Sequence, residues 1–123
     1  GLREKEIYGT DSFESYFERL TFKFPELKID FFQSNIEGEI INKLQETGFT
    51  YDGIILNAAA YTHTSIGIAD AIAAIKAPVV EVHISNIYKR EKFRHKTLIA
   101  PHCVGTISGF GIKSYELAVR SFL

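Results

Sequence analysis

Ile-Ile-Leu-Asn-Ala-Ala-Ala-Tyr-Thr-His-Thr-Ser, residues 54–65, is the stretch that best indicates the fold of this chain. Its apolar run ends at Asn57, three alanines follow, and hydroxyl side chains surround His63 before a helix-like segment begins at Ser65. In an open α/β sheet, ligands bind in the crevice outside the carboxyl ends of the strands, where each strand leads into a helix. The stretch therefore predicts an α/β fold and a ligand site that includes Asn57 and His63.

Strands and helices alternate along the rest of the chain. Hydrophobic periodicity predicts strands at Lys28–Gln33, Gly53–Leu56, Val79–Ile84 and Val104–Phe110. Helices are predicted after capping-box signals at Asp11 with Glu14 and at Ser34 with Glu37, then at Ser65–Ile75 and through Tyr115 to Phe122. This alternation predicts a parallel sheet with helices on both faces. Because the pattern opens with a helix, we expect a further strand before Gly1.

Length and composition limit the possible classes of protein. A chain of 123 residues with 46% hydrophobic residues fits one globular domain that spans residues 1–123. The formal net charge of -1 gives no general attraction to nucleic acid or to anionic membranes. Cys103 is the only cysteine, which excludes an intrachain disulfide and favours a reducing, cytoplasmic location.

Glu81 and His83 are the first candidates for chemistry. They stand two residues apart in a predicted strand, so both side chains point to the same face. The carboxylate would orient the imidazole and favour its cationic form. A charged pair among valines is costly unless it is used or fully hydrogen-bonded. Two interpretations stay open from the residues alone, a structural ion pair and a functional acid.

The remaining polar candidates also have structural alternatives. His63 could cap the helix that follows it, although the neighbouring polar side chains favour a ligand site. His63 and His83 have no carboxylate or cysteine at a recognisable ligand spacing, so no metal is expected. Arg90 and Arg94 could belong to a solvated face or could bind an anion or hydroxyl.

Six segments distributed along the whole chain resemble the type II 3-dehydroquinate dehydratases, which are small flavodoxin-like enzymes of the shikimate pathway. The combination of the Asn57-to-Ser65 stretch with Glu-Val-His-Ile-Ser-Asn is the most specific part of the resemblance. The segments are Arg-Glu-Lys-Glu-Ile-Tyr-Gly (3–9), Phe-Gln-Ser-Asn-Ile-Glu-Gly-Glu (32–39), Tyr-Asp-Gly-Ile-Ile-Leu-Asn (51–57), Tyr-Thr-His-Thr-Ser (61–65), Glu-Val-His-Ile-Ser-Asn (81–86) and Arg-Glu-Lys-Phe-Arg-His (90–95).

This resemblance implies a lyase that converts 3-dehydroquinate to 3-dehydroshikimate by anti elimination through an enolate, in aromatic amino acid biosynthesis. It implies a flavodoxin-like three-layer sandwich, with residues 1–9 as a lid loop over the active site. It also implies a cytoplasmic homo-oligomer, a dodecamer of four trimers, with no cofactor and no metal.

The resemblance also implies a role for each matched residue. Tyr8 is the base, and Arg3 favours its phenolate, because a tyrosine with a pKa of about 10 is a poor base at neutral pH. His83 is the general acid and Glu81 orients it. The residues implied to bind the substrate are Asn57, His63, Asp70, Ile84, Ser85 and Arg94. Asp70 is implied to reach the site of a neighbouring subunit.

Two features depart from the family pattern. The opening strand of the family, Asn-Gly-Pro-Asn-Leu, is not in this sequence, and Ala59 stands where the family usually has glycine. An alanine at that position is strained if its φ is positive. The alternative function is therefore a non-catalytic relative that binds a shikimate-type ligand or forms oligomers. A third interpretation, a receiver-like signalling domain, requires an acidic pocket at the strand ends, where Asn57 and His83 stand instead.

Overall fold

The computed structural model describes residues 13–123, and the chain divides into two compact units, residues 1–33 and 34–123. The first unit contains helix α1, Phe13–Lys23, which confirms the helix predicted after Asp11 and Glu14. The Phe31 ring lies against this helix, with its centroid 4.6 Å from that of Phe13 and 5.4 Å from that of Phe17. Asp11, the expected start of the cap, lies outside the described residues.

The predicted strand at Lys28–Gln33 is wrong, because these residues form no strand in the structure. A strand exists only where a neighbouring strand takes up its backbone hydrogen bonds. No strand among residues 13–123 pairs with this segment. Its alternating side chains therefore belong to a segment outside the sheet.

The second unit contains a parallel sheet of three strands, in the order β1-β2-β3, within the described part of the chain. The strands are β1, Ile54–Leu56; β2, Val79–His83; and β3, Gly105–Ser108. The helices are α2, Glu37–Thr47; α3, Ile66–Ala74; and α4, Lys113–Ser121. Short 3-10 turns occupy Ala59–His63, Ile87–Lys89, Lys92–His95 and Ala100–His102.

Helices cover both faces of this sheet, as predicted. Val79 belongs to a buried cluster with Leu44 of α2 and Ile72 of α3. Val80 points to the opposite face and packs with Ala118 of α4. Successive side chains of β2 thus alternate between two cores, which places Glu81 and His83 on the face of α2 and α3. None of the helices within residues 13–123 has the length and apolar character needed to cross a membrane.

Helix α2 begins without the predicted capping box between Ser34 and Glu37. Ile36 is the N-cap residue, and its backbone N–H donates to the Ser34 hydroxyl over 3.0 Å. The Ser34 hydroxyl in turn donates to Glu39. Glu37 accepts a hydrogen bond from the Ser65 hydroxyl instead. Ser65 also accepts the backbone N–H of the first turn of α3, so this pair ties the two helix starts together.

Candidate active site

Polar side chains gather where β1 and β2 end. β1 ends at Leu56, directly before Asn57, and β2 ends at His83. Leu56 is in register with Glu81, so the two strand ends lie side by side at the carboxyl edge of the sheet. This edge is the usual position of a ligand crevice in an open α/β sheet.

Glu81 and His83 form a buried pair at this edge. Glu81 is 0% exposed and His83 6% exposed, and His83 Nε2 hydrogen-bonds one carboxylate oxygen of Glu81. The other carboxylate oxygen accepts from Thr97 Oγ1 at 3.4 Å, and that hydroxyl accepts the Ala100 N–H at 2.7 Å. The Glu81 carboxylate has a partner on each oxygen, so it holds the imidazole in one orientation. Burial raises the pKa of the Cys103 thiol to about 12, and the charge of this same carboxylate adds to the rise.

His63 lies beside this pair. Its ring stacks on that of His83, with centroids 6.2 Å apart and ring planes 20° apart. Its Nδ1 lies 2.8 Å from the carbonyl oxygen of Lys96. A carbonyl oxygen can only accept, so Nδ1 carries a proton and Nε2 is left for another partner. Within residues 13–123 no group of three or more His, Cys, Asp or Glu side chains is arranged to hold a metal ion.

Asn57 is held by two hydrogen bonds. Its Oδ1 accepts the Ala59 N–H at 3.0 Å, and its Nδ2 donates to the Tyr115 hydroxyl at 3.0 Å. Burial raises the pKa of Tyr115, and the hydrogen bond from Asn57 partly opposes that rise. Tyr115 therefore stays a neutral phenol at neutral pH. The backbone of Ala59 has a φ of +51°, so alanine does occupy a left-handed conformation here.

The turn between β3 and α4 fixes the backbone that follows β2. The Gly109 N–H donates to the His83 carbonyl at 3.1 Å, and the Gly111 N–H donates to the Ile84 carbonyl at 2.9 Å. Gly109 has a φ of +95° and Gly111 a φ of +62°, conformations that favour glycine. The Gly-Phe-Gly segment, residues 109–111, is thus a strand-to-helix turn that holds the backbone of His83 and Ile84 in place.

Two arginines border the site in different ways. Arg90 donates to the Ser85 hydroxyl at 3.3 Å, which brings a guanidinium group next to Ser85. Arg94 pairs with Glu91 and lies over the Phe93 ring, 4.8 Å from its centroid. The hydrogen bond from Arg94 lowers the pKa of Glu91. Arg94 uses Nε in this pair, so the remaining N–H groups of its guanidinium can donate to a ligand.

The structure thus brings Asn57, His63, Glu81 and His83 to one edge of the sheet, with Ile84 and Ser85 next in the chain. Asp70 lies on α3 with an exposed side chain. Arg3 and Tyr8 lie outside the described residues.

Sequence reasoning missed Thr97 and Tyr115, which hold Glu81 and Asn57. Thr97 stands 16 residues from Glu81, and Tyr115 stands 58 residues from Asn57. No local spacing connects either pair. Tyr115 also matches the apolar stripe of its helix, so the pattern indicates only a core residue.

Comparisons with known proteins agree on one family. The family model described as dehydroquinase class II matches residues 1–123. A 3-dehydroquinate dehydratase of Campylobacter jejuni is 54% identical over 125 aligned residues, covering all of this chain and 79% of that protein. One from Caldicellulosiruptor bescii is 55% identical over 122 residues, covering 97% of this chain and 84% of that protein.

The fold comparison gives the same result. The crystal structure of a type II dehydroquinase from Butyrivibrio crossotus superposes with a TM-score of 0.90 at 41% sequence identity. The match covers 98% of this chain and 86% of that one.

Proposed function

The chain belongs to the class II dehydroquinase family, and we propose that it dehydrates 3-dehydroquinate to 3-dehydroshikimate by anti elimination through an enolate. This reaction is a step of the shikimate pathway. The observation that best supports the acid half of this mechanism is the buried hydrogen bond between His83 and Glu81 at the carboxyl edge of the sheet.

The first chemical step is removal of a proton from the carbon next to the substrate ketone. In the proposal, Tyr8 takes this proton as its phenolate, and Arg3 stabilises the phenolate charge. The electrons of the broken C–H bond move onto the ketone oxygen and give the enolate. Closing residues 1–9 over the site would exclude water during this step.

The second step is loss of the hydroxyl group from the adjacent ring carbon. The enolate electrons return to form the new carbon–carbon double bond, the C–O bond breaks, and His83 gives a proton to the departing oxygen, so that water leaves. Glu81 holds the imidazole in the orientation for this transfer. The product is an enone conjugated with the carboxylate.

The remaining site residues bind the substrate in this proposal. Asn57 and His63 hold ring hydroxyls, and Arg94 joins them through guanidinium N–H groups other than the one paired with Glu91. The Ser85 hydroxyl and the backbone of Ile84 receive the carboxylate, which agrees with the nearby Arg90 guanidinium.

Assembly belongs to the same proposal. We infer a cytoplasmic dodecamer of four trimers, in which Asp70 completes the site of a neighbouring subunit. The exposed position of Asp70 on α3 agrees with this role.

Formation of the conjugated enone provides a direct test, because the product absorbs in the ultraviolet and the substrate does not. His83→Ala and Tyr8→Phe should each reduce kcat by at least about 100-fold, the usual contribution of a positioned acid or base. The rate is followed by ultraviolet absorbance with purified 3-dehydroquinate.

Matched substitutions at exposed positions control for the change of side chain itself. His102→Ala and Tyr51→Phe should keep wild-type turnover, since both residues lie outside the proposed site. Turnover of His83→Ala close to wild type would overturn the role of His83. Binding of 3-dehydroshikimate by the wild type without any turnover would favour the non-catalytic alternative.

A further inference from the structure

We propose that Tyr115 is a positioning residue for the dehydration, which fixes the side-chain amide of Asn57 so that one amide N–H faces a substrate oxygen. The inference rests on the proposed function of Asn57 in binding the substrate. It adds a residue of α4 to a site otherwise built from strand ends and the loops that follow them.

The hydrogen bonds of Asn57 determine which way its amide points. The Ala59 N–H can only donate, so the atom facing it must be the oxygen Oδ1. Nδ2 then faces the Tyr115 hydroxyl and donates one of its two N–H groups to the hydroxyl oxygen. The second N–H of Nδ2 is then the donor that the side chain can offer to a ligand.

Tyr115 is suited to hold this amide because its ring is part of the core. The ring packs against the buried cluster of Val80, Val82 and Ala118 on the α4 face of the sheet. Burial also disfavours the phenolate form. A rigid neutral phenol holds one amide orientation at little entropic cost, since the ring is already ordered by packing.

Helix α4 is itself tied to the strand end that bears the acid. The Ser114 hydroxyl donates to the His83 carbonyl at 3.5 Å, and the Gly111 N–H donates to the Ile84 carbonyl at 2.9 Å. Tyr115 directly follows Ser114 in α4. The start of α4 therefore contacts β2 directly and Asn57 through Tyr115, which sets the spacing between two groups assigned to one substrate.

The chemistry of the free donor indicates what it binds. An amide N–H pairs with an oxygen lone pair, such as that of a ring hydroxyl or of an enolate. Without the Tyr115 hydroxyl, Nδ2 loses its acceptor and the Ala59 N–H alone holds the amide, so the second N–H of Nδ2 is positioned less precisely. The expected loss in kcat/KM corresponds to the contribution of one ordinary hydrogen bond.

A double-mutant cycle tests this inference. Tyr115→Phe should reduce kcat/KM by about 3- to 10-fold, while Tyr51→Phe, at the amino end of β1, should have no effect. In an Asn57→Ala background, Tyr115→Phe should change kcat/KM by less than about 1.5-fold, because no amide is left to orient. Thermal unfolding of each variant identifies any that fail to fold.

Binding of 3-dehydroshikimate, measured by calorimetry for the same four proteins, gives a readout that needs no turnover. The same coupling between Tyr115 and Asn57 is expected in Kd. Equal effects of Tyr115→Phe in both backgrounds, or no effect in either, would overturn the positioning role. A wild-type chain that binds without turnover contradicts the proposed function alone, and the binding cycle then still decides the role of Tyr115.

Discussion

Within residues 13–123, Ala59 is the non-glycine residue whose backbone has a positive φ. Its φ of +51° lies in the left-handed region, which costs a non-glycine residue about 1–2 kcal/mol. Ala59→Gly removes the Cβ that causes this cost, although glycine also gains freedom in the unfolded chain. We expect a net gain of about 1 kcal/mol in the free energy of unfolding, measured by urea denaturation.

The adjacent Ala60 provides the control, because it has no positive φ and lies in the same 3-10 turn. Ala60→Gly should lower the free energy of unfolding by about 0.5–1 kcal/mol. A loss of stability in both variants would show that the conformation of Ala59 is not the source of strain.

Individual site residues differ in how far the sequence could indicate them. Glu81 and His83 share a strand face through their spacing alone, and the structure pairs them as expected. The strain at Ala59 followed from a resemblance that placed glycine there. Thr97 and Tyr115 could not be found this way, because their partners are fixed by tertiary packing rather than by local spacing.

Helix α2 contains one glycine and is followed by another, and the surroundings of the two glycines differ. A Cβ on Gly48 would overlap the Ile75 side chain and would lie 2.7 Å from the Leu44 carbonyl oxygen, whereas a Cβ on Gly38 would meet nothing within 4 Å. Gly48→Ala should lower the free energy of unfolding by about 1–3 kcal/mol through overpacking. Gly38→Ala should raise it by about 0.5 kcal/mol, because alanine favours the helix.

Urea denaturation of both variants measures the two effects, one at each end of α2. The φ of Gly48 is −65°, so its substitution tests close approach and not backbone handedness. Unchanged stability of Gly48→Ala would mean that the Ile75 side chain moves aside at no cost, and the packing explanation would then fail.

Among the secondary-structure elements, a strand is predicted best where the side chains of the segment determine whether it forms. Val79–Ile84 is rich in β-branched residues, and it forms β2 with every residue from Val79 to His83 buried. Lys28–Gln33 alternates equally well, yet it forms no strand. Alternation describes which side chains could share a face, and it contains no information about whether a partner strand is present.

At the scale of the whole molecule, the proposed assembly would determine whether each site is complete. In the proposal, Asp70 acts in the site of a neighbouring subunit, whereas His83 acts in the site of its own subunit. In a closed ring of three subunits, every interface therefore brings Asp70 of one subunit to the site that contains His83 of the next. Asp70→Ala should therefore lower kcat/KM by at least about 10-fold, although Asp70 is exposed on its own chain.

Mixing the two impaired variants tests this arrangement. Asp70→Ala subunits keep His83, and His83→Ala subunits keep Asp70, so a mixed trimer contains some interfaces with both native residues. Random mixing of equal amounts gives about one native site in four, and ultraviolet assays after co-refolding should recover about that share of wild-type turnover. Each variant refolded alone should keep only its own reduced turnover. If mass spectrometry shows mixed trimers while turnover stays at the level of the separate variants, Asp70 does not act across the interface.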